Sequence, residues 1–557
     1  MNINYKLLNV KLSQIIFISR FILYFNYNIL IAQTYDIILG RPTDKSITIS
    51  ILFDKECEFY FEYSKQSNKY THSSQTFTNK LNTPDEIDLI NLEANTRYYY
   101  KLNYRIKGTQ TYNKSAEFYF QTQRSPGKSF KFLVEADEHL YDKKGVKSMY
   151  LITLQNQAKD SADFMLSLGD IFGDDHTPTT TKSADMDALH KDYRQFLGTA
   201  CQNMPFYVCL GNHEGETGYY LKQNGTDNIA YYGTIWRKFY YPNPYPNEFY
   251  TGNKTLEPNG IGTPENYYAW TWGDALFVVL DVYRDCDIND KPQNWDWTLG
   301  KTQYDWFKNA SSAKYKFVFS HHNRGQGRGG IVPAKGFEWG GLDNTKDKFS
   351  TFRKGWDLPI HQLMVKNEVT VFFQGHDHLY AKEEMDGLVY QEVPMPSDST
   401  YEIGMLANAD AYTDVTKGGT GHIRVNVEPK GVTVDFVRAY LPKDTLDGIR
   451  KNGEIAYSYT VGKSQSDVEY DEKIKENNFS ITHNKTSDIL EFQASNTSLN
   501  NRLIELIDIQ GNFIKSKILE KGYISTDINS SDLNSGIYVA RLINDKISNS
   551  SKVIIIK

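Results

Sequence analysis

The sequence predicts an α/β domain in the middle of the chain, with a smaller all-β domain at each end. Three observations support this prediction. Between residues 128 and 460, apolar strands alternate with helical stretches and end in polar clusters, as buried strands of α/β proteins do. Short alternating strands with polar turns occupy residues 34–125. The same short strands return after residue 484.

Length and composition set the outer limits of function. A chain of 557 residues is long enough for three or four folding units. Its formal net charge of −6 provides no general basic field, so no nucleic-acid partner is expected. Four cysteines, Cys57, Cys201, Cys209 and Cys286, are too few for a disulfide framework. Export would permit one bridge among the last three, and the sequence leaves the pairing open.

Residues 1–32 are predicted to be a signal peptide. Lys6 and Lys11 precede an apolar stretch from Ile15 to Ala32, after which the chain becomes polar. The alternative is a membrane anchor, but Arg20 and two asparagines interrupt the apolar run and make a stable span less favourable. The mature chain is therefore expected outside the cytoplasm, secreted or at the cell surface, without a stable membrane span.

Residues 34–125 are predicted to form a β-sandwich. The alternating stretches that predict its strands are Ser46–Leu52, Glu58–Tyr63, Asp85–Asn91, Arg97–Tyr104 and Ala116–Thr122. The run Asn91–Tyr100 resembles the L-x-x-x-T-x-Y-x-Y corner of fibronectin type III domains. A boundary is expected at Ser125-Pro126-Gly127.

The C-terminal region divides into a polar linker, residues 463–483, and a β-domain, residues 484–557. Short strands separated by turn residues include "IDIQGNFIKS", "LNSGIYVARL" and a basic-ended terminal strand. These motifs resemble the C-terminal sorting domain of the type IX secretion system. The resemblance implies a Gram-negative bacterial source and the type IX machinery as a partner. The alternative is a β-module of no particular function.

Five short polar motifs follow predicted strands of the middle domain, residues 126–462. The motifs are, in chain order, Asp137-Glu138-His139, Gly169-Asp170, Gly211-Asn212-His213-Glu214, Ser320-His321-His322 and Gly375-His376-Asp377-His378. Taken singly, each motif has an ordinary alternative, such as a solvated acidic turn or a core histidine. Their order and their placement after strands give the set its weight, because the ordinary explanation needs five coincidences.

The residue types suit a pair of metal ions. The two oxygens of a carboxylate such as Asp170 can bridge two cations roughly 3.5–4 Å apart. Asn212 offers a neutral carbonyl oxygen, and His213 then lies beside the ion, where it can protonate a leaving alkoxide. His376 and His378 form a His-x-His pair, whose alternate residues face the same side of an extended segment.

Together the five motifs resemble those of the calcineurin-like metallophosphoesterase superfamily, and the preceding sandwich makes the purple-acid-phosphatase-like branch the best match over residues 35–460. The resemblance implies a four-layer α/β/β/α sandwich. It also implies a first metal held by Asp137, His139, Asp170 and His378, and a second held by Asp170, Asn212, His321 and His376.

Two departures from the family pattern bear on the metals. Asn323 stands where the family usually has a proline after its histidines, so the choice of His321 over His322 as ligand stays open. Gly173 replaces the tyrosine that binds ferric iron in purple acid phosphatases, and His139 adds an imidazole. Two divalent ions, Mn, Zn or Fe(II), suit this N/O donor set better than Fe(III).

The expected reaction is hydrolysis of a phosphate monoester by metal-bound hydroxide, with His213 as general acid. Arg324 and Arg328, in the glycine-rich run after the fourth motif, are candidates for clamping the substrate phosphate. The alternative is that this run is a surface loop. Two other functions remain open: a phosphodiesterase acting on nucleotides or lipids, and a surface adhesin that has lost catalysis.

Overall fold

The computed structural model of the protein describes residues 35–141, 145–171, 178–310, 312–323, 328–403, 411–446, 448–462, 479–484, 487–494, 501–508, 512–543 and 548–555. The expected signal peptide, most of the expected linker, Gly173 and Arg324 lie outside these residues. The chain divides into two units, residues 1–463 and 464–557.

The N-terminal part of the first unit is all-β. Its strands are β1 (Tyr35–Gly40), β2 (Ser46–Phe53), β3 (Cys57–Ser64), β4 (His72–Ser73), β5 (Phe77–Thr78), β6 (Asp85–Ile90), β7 (Arg97–Ile106), β8 (Asn113–Lys114) and β9 (Phe118–Gln121). One sheet has the order β1-β2-β6 and the other β4-β3-β7-β8, with β5 paired to β3 and β9 to β7. Inward-facing residues of both sheets, such as Ile49, Phe61 and Tyr100, share one core.

The corner before β7 is closed by a tyrosine. The hydroxyl of Tyr98 accepts a hydrogen bond of 2.9 Å from the backbone N–H of Glu93. A tyrosine whose hydroxyl returns to the backbone a few residues upstream is a feature of immunoglobulin-like sandwiches. The contact therefore agrees with the resemblance of Asn91–Tyr100 to a fibronectin type III corner.

The remainder of the first unit contains both strands and helices. The strands are β10 (Phe130–Glu135), β11 (Phe164–Ser167), β12 (Phe206–Val208), β13 (Thr251–Gly252), β14 (Tyr268–Trp272), β15 (Ala275–Val279), β16 (Tyr315–Phe319), β17 (Leu342–Asp343), β18 (Lys346–Asp347), β19 (Val371–Gln374), β20 (Tyr380–Met385), β21 (Leu388–Glu392), β22 (Val415–Lys417), β23 (Gly421–Glu428), β24 (Gly431–Arg438) and β25 (Ile455–Val461). The helices are α1 (Lys147–Asp160), α2 (Ser183–Cys201), α3 (Gly218–Leu221), α4 (Ile229–Tyr240), α5 (Gly300–Lys308), α6 (Ile331–Ala334), α7 (Phe337–Gly340), α8 (Phe349–Phe352) and α9 (Ile360–Lys366), with 3₁₀ turns at Asn294–Asp296 and Pro442–Asp444.

Two sheets form the centre of this domain. The first has the order β12-β11-β10-β23-β24-β25, and the second β13-β14-β15-β16-β19-β21-β20-β22. In the first sheet β10, β11 and β12 are parallel, and in the second β15, β16, β19 and β21 are parallel. Because parallel strands end at one edge of a sheet, the turns that follow them are brought together.

The predicted four-layer α/β/β/α sandwich is confirmed. Between the sheets lies an aromatic core in which the ring of Phe132 lies 5.1 Å from the rings of Phe277 and Phe317. Helices α1 and α2 cover the outer face of the first sheet. Helices α5 and α9 cover the outer face of the second.

Several local predictions agree with the structure. The periodicity of residues 300–308 predicts an amphipathic helix, and helix α5, Gly300–Lys308, has those bounds and buries Tyr304 and Phe307. The alternating runs at residues 421–427 and 431–437 predict a closing hairpin, which β23 and β24 form by pairing antiparallel. Helix α4 begins where the Asn228 side chain accepts a hydrogen bond of 2.8 Å from the N–H of Tyr231, as an N-cap residue does.

The second unit contains only strands among its described residues. They are β26 (Phe479–Asn484), β27 (Ile489–Ala494), β28 (Arg502–Asp508), β29 (Phe513–Leu519), β30 (Ser525–Asn529), β31 (Gly536–Ile543) and β32 (Ser548–Ile555). They form a sheet β26-β27-β30 and a sheet β29-β28-β31-β32. Strand β26 overlaps the end of the segment expected to be linker, because Ile481 joins the core of this unit.

All four cysteines are buried as free thiols, so the bridge that export would permit among Cys201, Cys209 and Cys286 is not formed. Among the described residues, no helix combines the length and the apolar character needed to cross a membrane.

Candidate metal centre

The strand ends of the two sheets bring the five motifs together. Asp137 follows β10, Asp170 follows β11 and Asn212 follows β12, while His321 follows β16 and His376 follows β19. Backbone hydrogen bonds join the turns, from Asp137 N–H to Gly169 O at 3.0 Å and from Gly375 N–H to His321 O at 2.8 Å. The centre therefore spans the edges of both sheets.

Three groups of side chains have ligand atoms within 4.8 Å of one another: Asp137 with His139 and His378, His139 with Asp170 and His213, and Asp170 with His321 and His376. The first and third groups coincide with ligands that the family resemblance implies for the first and second metals. His321 is in a group, whereas His322 is in none among the described residues. The ring of His322 lies 5.0 Å from that of His376, 5.3 Å from Tyr283 and 5.4 Å from Trp297.

The two aspartates are each positioned by a backbone N–H. His213 N–H donates to Asp170 Oδ1 at 2.8 Å, and His376 N–H donates to Asp137 Oδ2 at 2.8 Å. The first contact also brings the adjacent Asn212 to the same edge. The other oxygens face imidazole nitrogens, with Asp170 Oδ2 3.1 Å from His321 Nε2 and Asp137 Oδ1 3.5 Å from His378 Nε2.

The turns require unusual backbone conformations. Asp137, His139, Asp170, His376 and His378 all have φ between +42° and +79°, the left-handed region that non-glycine residues rarely occupy. Residues held in this region concentrate at ligand sites, where the surrounding structure compensates for the strain.

Glycines let the aspartates approach the neighbouring backbone. A Cβ on Gly211 would lie 2.2 Å from Asp170 Oδ1, and one on Gly375 would lie 2.7 Å from Asp137 Oδ2. Side chains at these two positions would therefore displace the carboxylates.

The donor set fits divalent metal ions. Asp137 Oδ1 is fully buried and accepts no hydrogen bond from a described residue, which is costly for a carboxylate without a cation. The Nε2 atoms of His139 and His378 face each other at 3.1 Å. His321 Nδ1 lies 3.0 Å from the carbonyl of Leu168, which leaves Nε2 directed at Asp170. A carbonyl that fixes the outer nitrogen is typical of a metal-binding histidine.

Electrostatics at the centre also favour a cation. Burial raises the pKa of Asp137 to about 6, with Asp170 adding to the rise and His321 opposing it. Burial alone would raise the pKa of Asp170, but His321 and His213 hold it well below its usual range. Burial disfavours the charged form of His321, yet Asp170 and Asp137 raise its pKa to about 9. A metal ion would therefore displace a proton from His321 at neutral pH.

Several residues around the centre have roles that the sequence analysis did not assign. Buried Glu214 accepts three backbone hydrogen bonds, from Gly211 at 2.5 Å, Ile171 at 2.7 Å and Asp170 at 2.9 Å. Its place within the third motif was the available signal. Tyr283, on the loop after β15, borders His321 and His322, and no sequence motif indicated it.

The candidate phosphate-binding arginines have different outcomes. Arg324 lies outside the described residues. Arg328 donates to the carbonyl of His376 and, at 3.1 Å, to Asp377 Oδ1. Asp377 also accepts from Gly329 N–H at 2.7 Å and from the Tyr412 hydroxyl. Arg328 therefore lies beside the fifth motif and connects the end of the glycine-rich run to it.

A four-layer sandwich with Asp and His groups at its strand ends is the architecture of a metal-dependent phosphoesterase. Residues 130–380 match the calcineurin-like phosphoesterase family, and residues 483–557 match the secretion system C-terminal sorting domain. The chain therefore contains a calcineurin-like phosphoesterase domain and a type IX sorting domain, and the sorting domain indicates a secreted or cell-surface protein.

Solved structures agree on the fold. The chain is similar to the structure of PhoD, with a TM-score of 0.53 and 15% identity over 77% of this chain and 90% of that chain. It is also similar to a purple acid phosphatase from yellow lupin seeds, with a TM-score of 0.52 and 13% identity over 77% of this chain and 74% of that chain. No curated protein matches the sequence.

Proposed function

We propose that the chain is an exported dinuclear-metal phosphoesterase that hydrolyses phosphate monoesters. The observation that carries the proposal is the convergence of two groups of ligand atoms at adjoining strand edges, with Asp137 Oδ1 buried between imidazoles and accepting no hydrogen bond from a described residue. A monoester is the simplest substrate for such a centre, and export is supported by the sorting domain. Residues 1–32 are proposed as the signal peptide.

The ligands are proposed on the resemblance together with these contacts. Asp137, His139, Asp170 and His378 would hold one ion. Asp170, Asn212, His321 and His376 would hold the other. Bound divalent ions, Mn, Zn or Fe(II), would supply the nucleophile and neutralise negative charge on the phosphoryl oxygens.

His213 is proposed as the general acid. Its backbone N–H donates a hydrogen bond to Asp170 Oδ1, and its ring Nε2 lies 3.8 Å from Asp170 Oδ2. Its side chain is 13% exposed, against 4% for His139 and 0% for His321, so it lies on the solvent side of the centre. From there it can give a proton to the leaving alkoxide. Arg328, whose side chain is 22% exposed beside the centre, is proposed to contact the substrate phosphate.

The test compares the parent chain with His213→Ala on p-nitrophenyl phosphate and bis-p-nitrophenyl phosphate, after loading with Mn, Zn or Fe(II). We expect the parent to prefer the monoester. We expect the variant to lose a factor of about 10²–10⁴ in kcat, the usual contribution of a general acid, while keeping its metal content. Preference for the diester would instead identify a phosphodiesterase. No turnover by the parent with any of these metals would favour the alternative that the chain is a surface adhesin without catalytic activity.

A further inference from the structure

Tyr283 lies at the second-metal end of the centre. It follows β15, whose parallel neighbour β16 leads into His321, so both residues leave adjacent strands at the same edge. The centroid of its ring lies 5.3 Å from that of His322 and 6.4 Å from that of His321. The indole of Trp297 packs against the ring at 5.7 Å.

The backbone of Tyr283 is held by three hydrogen bonds. Its N–H donates to Asp281 Oδ1 at 2.7 Å. Its carbonyl accepts from Cys286 N–H at 3.0 Å and from Gly218 N–H at 3.2 Å. The ring is therefore fixed in place by the loop and by its aromatic neighbours.

The hydroxyl of this fixed ring is a buried donor without a recipient in the part of the chain that the structure describes. Tyr283 is 1% exposed, and its oxygen makes no hydrogen bond to a described residue. Leaving such a buried donor unsatisfied is unfavourable. The hydroxyl of Tyr268, which is equally buried, donates instead to the carbonyl of Val208 at 2.7 Å.

The surroundings indicate what the hydroxyl is for. The ring borders His321, whose Nε2 lies 3.1 Å from Asp170 Oδ2, so Tyr283 lies at the end of the centre that holds Asp170. A phenol hydroxyl can donate one hydrogen bond. A ligand with acceptor oxygens and no need to donate would complete it.

We propose that the Tyr283 hydroxyl donates a hydrogen bond to an oxyanion of the phosphate class bound at the metal centre. This inference rests on the proposed two-metal function, because the metals would hold the oxyanion within reach. Tyr283 would thereby add a neutral donor to the cationic groups that bind phosphate, and would tighten substrate and product binding alike.

The test measures binding of inorganic phosphate to the metal-loaded full chain by calorimetry, for the parent, Tyr283→Phe and Tyr304→Phe. Tyr304 is the matched control, since it is equally buried but fully hydrogen-bonded. Its hydroxyl donates to Leu358 O at 2.9 Å and accepts from Leu358 N–H at 3.0 Å and Asp357 N–H at 3.1 Å.

We expect Tyr283→Phe to weaken phosphate binding about 10-fold, the effect of one hydrogen bond to a charged group, with melting temperature and metal content unchanged. Tyr304→Phe should show the opposite pattern, a lower melting temperature and the phosphate affinity of the parent.

Three results would overturn the inference: phosphate affinity within twofold of the parent in Tyr283→Phe, no phosphate binding by the parent, or loss of a metal equivalent in the variant. A visible tyrosinate-to-iron band that Tyr283→Phe abolishes would likewise make the residue a ligand and not a donor. Failure of the proposed function gives a different result. If the chain binds phosphate through Tyr283 but hydrolyses neither ester, the proposed enzymatic activity is wrong and the inference about Tyr283 stands.

Discussion

Glu214 organises two loops of the centre with one buried carboxylate. It accepts the N–H groups of Gly211, Asp170 and Ile171, which belong to the turns after β12 and β11. The proposed ligands Asp170 and Asn212 leave from these turns, so their spacing depends on this acceptor. A carboxylate is required because it has only acceptors to offer to three converging donors.

Replacing Glu214 by Gln should weaken metal binding about 10–100-fold, the usual effect of losing a group that orients ligands. The amide would face its own N–H groups toward backbone N–H groups and disturb both turns. Metal affinity by calorimetry and metal content after dialysis measure the effect.

The matched control is Glu216→Gln, two residues along the same loop. Glu216 is also buried, but its carboxylate forms ion pairs with Arg237 at 2.7 Å and with Arg284 at 2.8 Å. Neither arginine is a proposed metal ligand. We expect this control to lower the melting temperature without changing metal affinity. Equal metal affinity in Glu214→Gln and the parent would contradict the role assigned to Glu214.

At the scale of the element, helix α2 carries polar groups on its buried face. His190 is 1% exposed, and its Nδ1 lies 2.7 Å from the carbonyl of Met186 one turn earlier. Burial lowers the pKa of His190 to about 4. The folded state therefore keeps this imidazole neutral under conditions in which an unfolded chain would protonate it.

This difference predicts a pH dependence of stability. Above pH 6.5 His190 is neutral in both the folded and the unfolded state, so protonation of this residue does not reduce the free energy of unfolding. As pH falls from 6.5 to 4 the unfolded state takes up the proton first, so about 3 kcal/mol of stability is lost from this group.

Denaturant unfolding of the parent and of His190→Gln between pH 7 and pH 4 measures the effect, and the variant should lose less stability on acidification. The exposed His72→Gln serves as the control and should follow the parent. Parallel curves for the parent and His190→Gln would show that His190 is accessible to protons in the folded state.

At the scale of the molecule, the N-terminal sandwich and the catalytic layers are joined through buried polar contacts. Arg194 of α2 is fully buried and donates to Asp36 Oδ1 of β1 at 2.6 Å and to Ser50 Oγ of β2 at 3.0 Å. The hydroxyl of Tyr100 in the sandwich also reaches the carbonyl of Gln202 at 2.7 Å. Residues 35–463 therefore belong to one unit.

Arg194→Met should lower the free energy of unfolding by about 3–5 kcal/mol, because it leaves the Asp36 carboxylate buried without its partner. Scanning calorimetry should then show separate transitions for the sandwich and the catalytic layers, whereas we expect one transition for this unit in the parent. The control is Lys191→Met, which removes a surface contact of 2.6 Å to Asn82 between the same two parts. A single transition at the parent's temperature in Arg194→Met would refute the coupling.

The sequence by itself predicted the buried strands and the polar residues that follow them, because both depend on local patterns, whereas the four layers and the assignment of ligands to two metals came from the family resemblance. Apolar runs such as Lys316–Phe319 produce buried strands, and a polar residue directly after a run must lie at the strand's end. The helix Gly300–Lys308 and the hairpin of β23 and β24 followed from the same short-range periodicity.

Only the tertiary structure decided which side chains meet across the sheets. Glu214, Tyr283 and Arg194 are ordinary residues in sequence, and their roles arise from neighbours that are distant in the chain. Likewise, the adjacent His321 and His322 are the same residue type but have different surroundings. His321 Nε2 faces Asp170, whereas the ring of His322 packs against Trp297. Periodicity fixes where a residue lies on its own strand, whereas burial, hydrogen bonding and charge depend on which other elements pack against it.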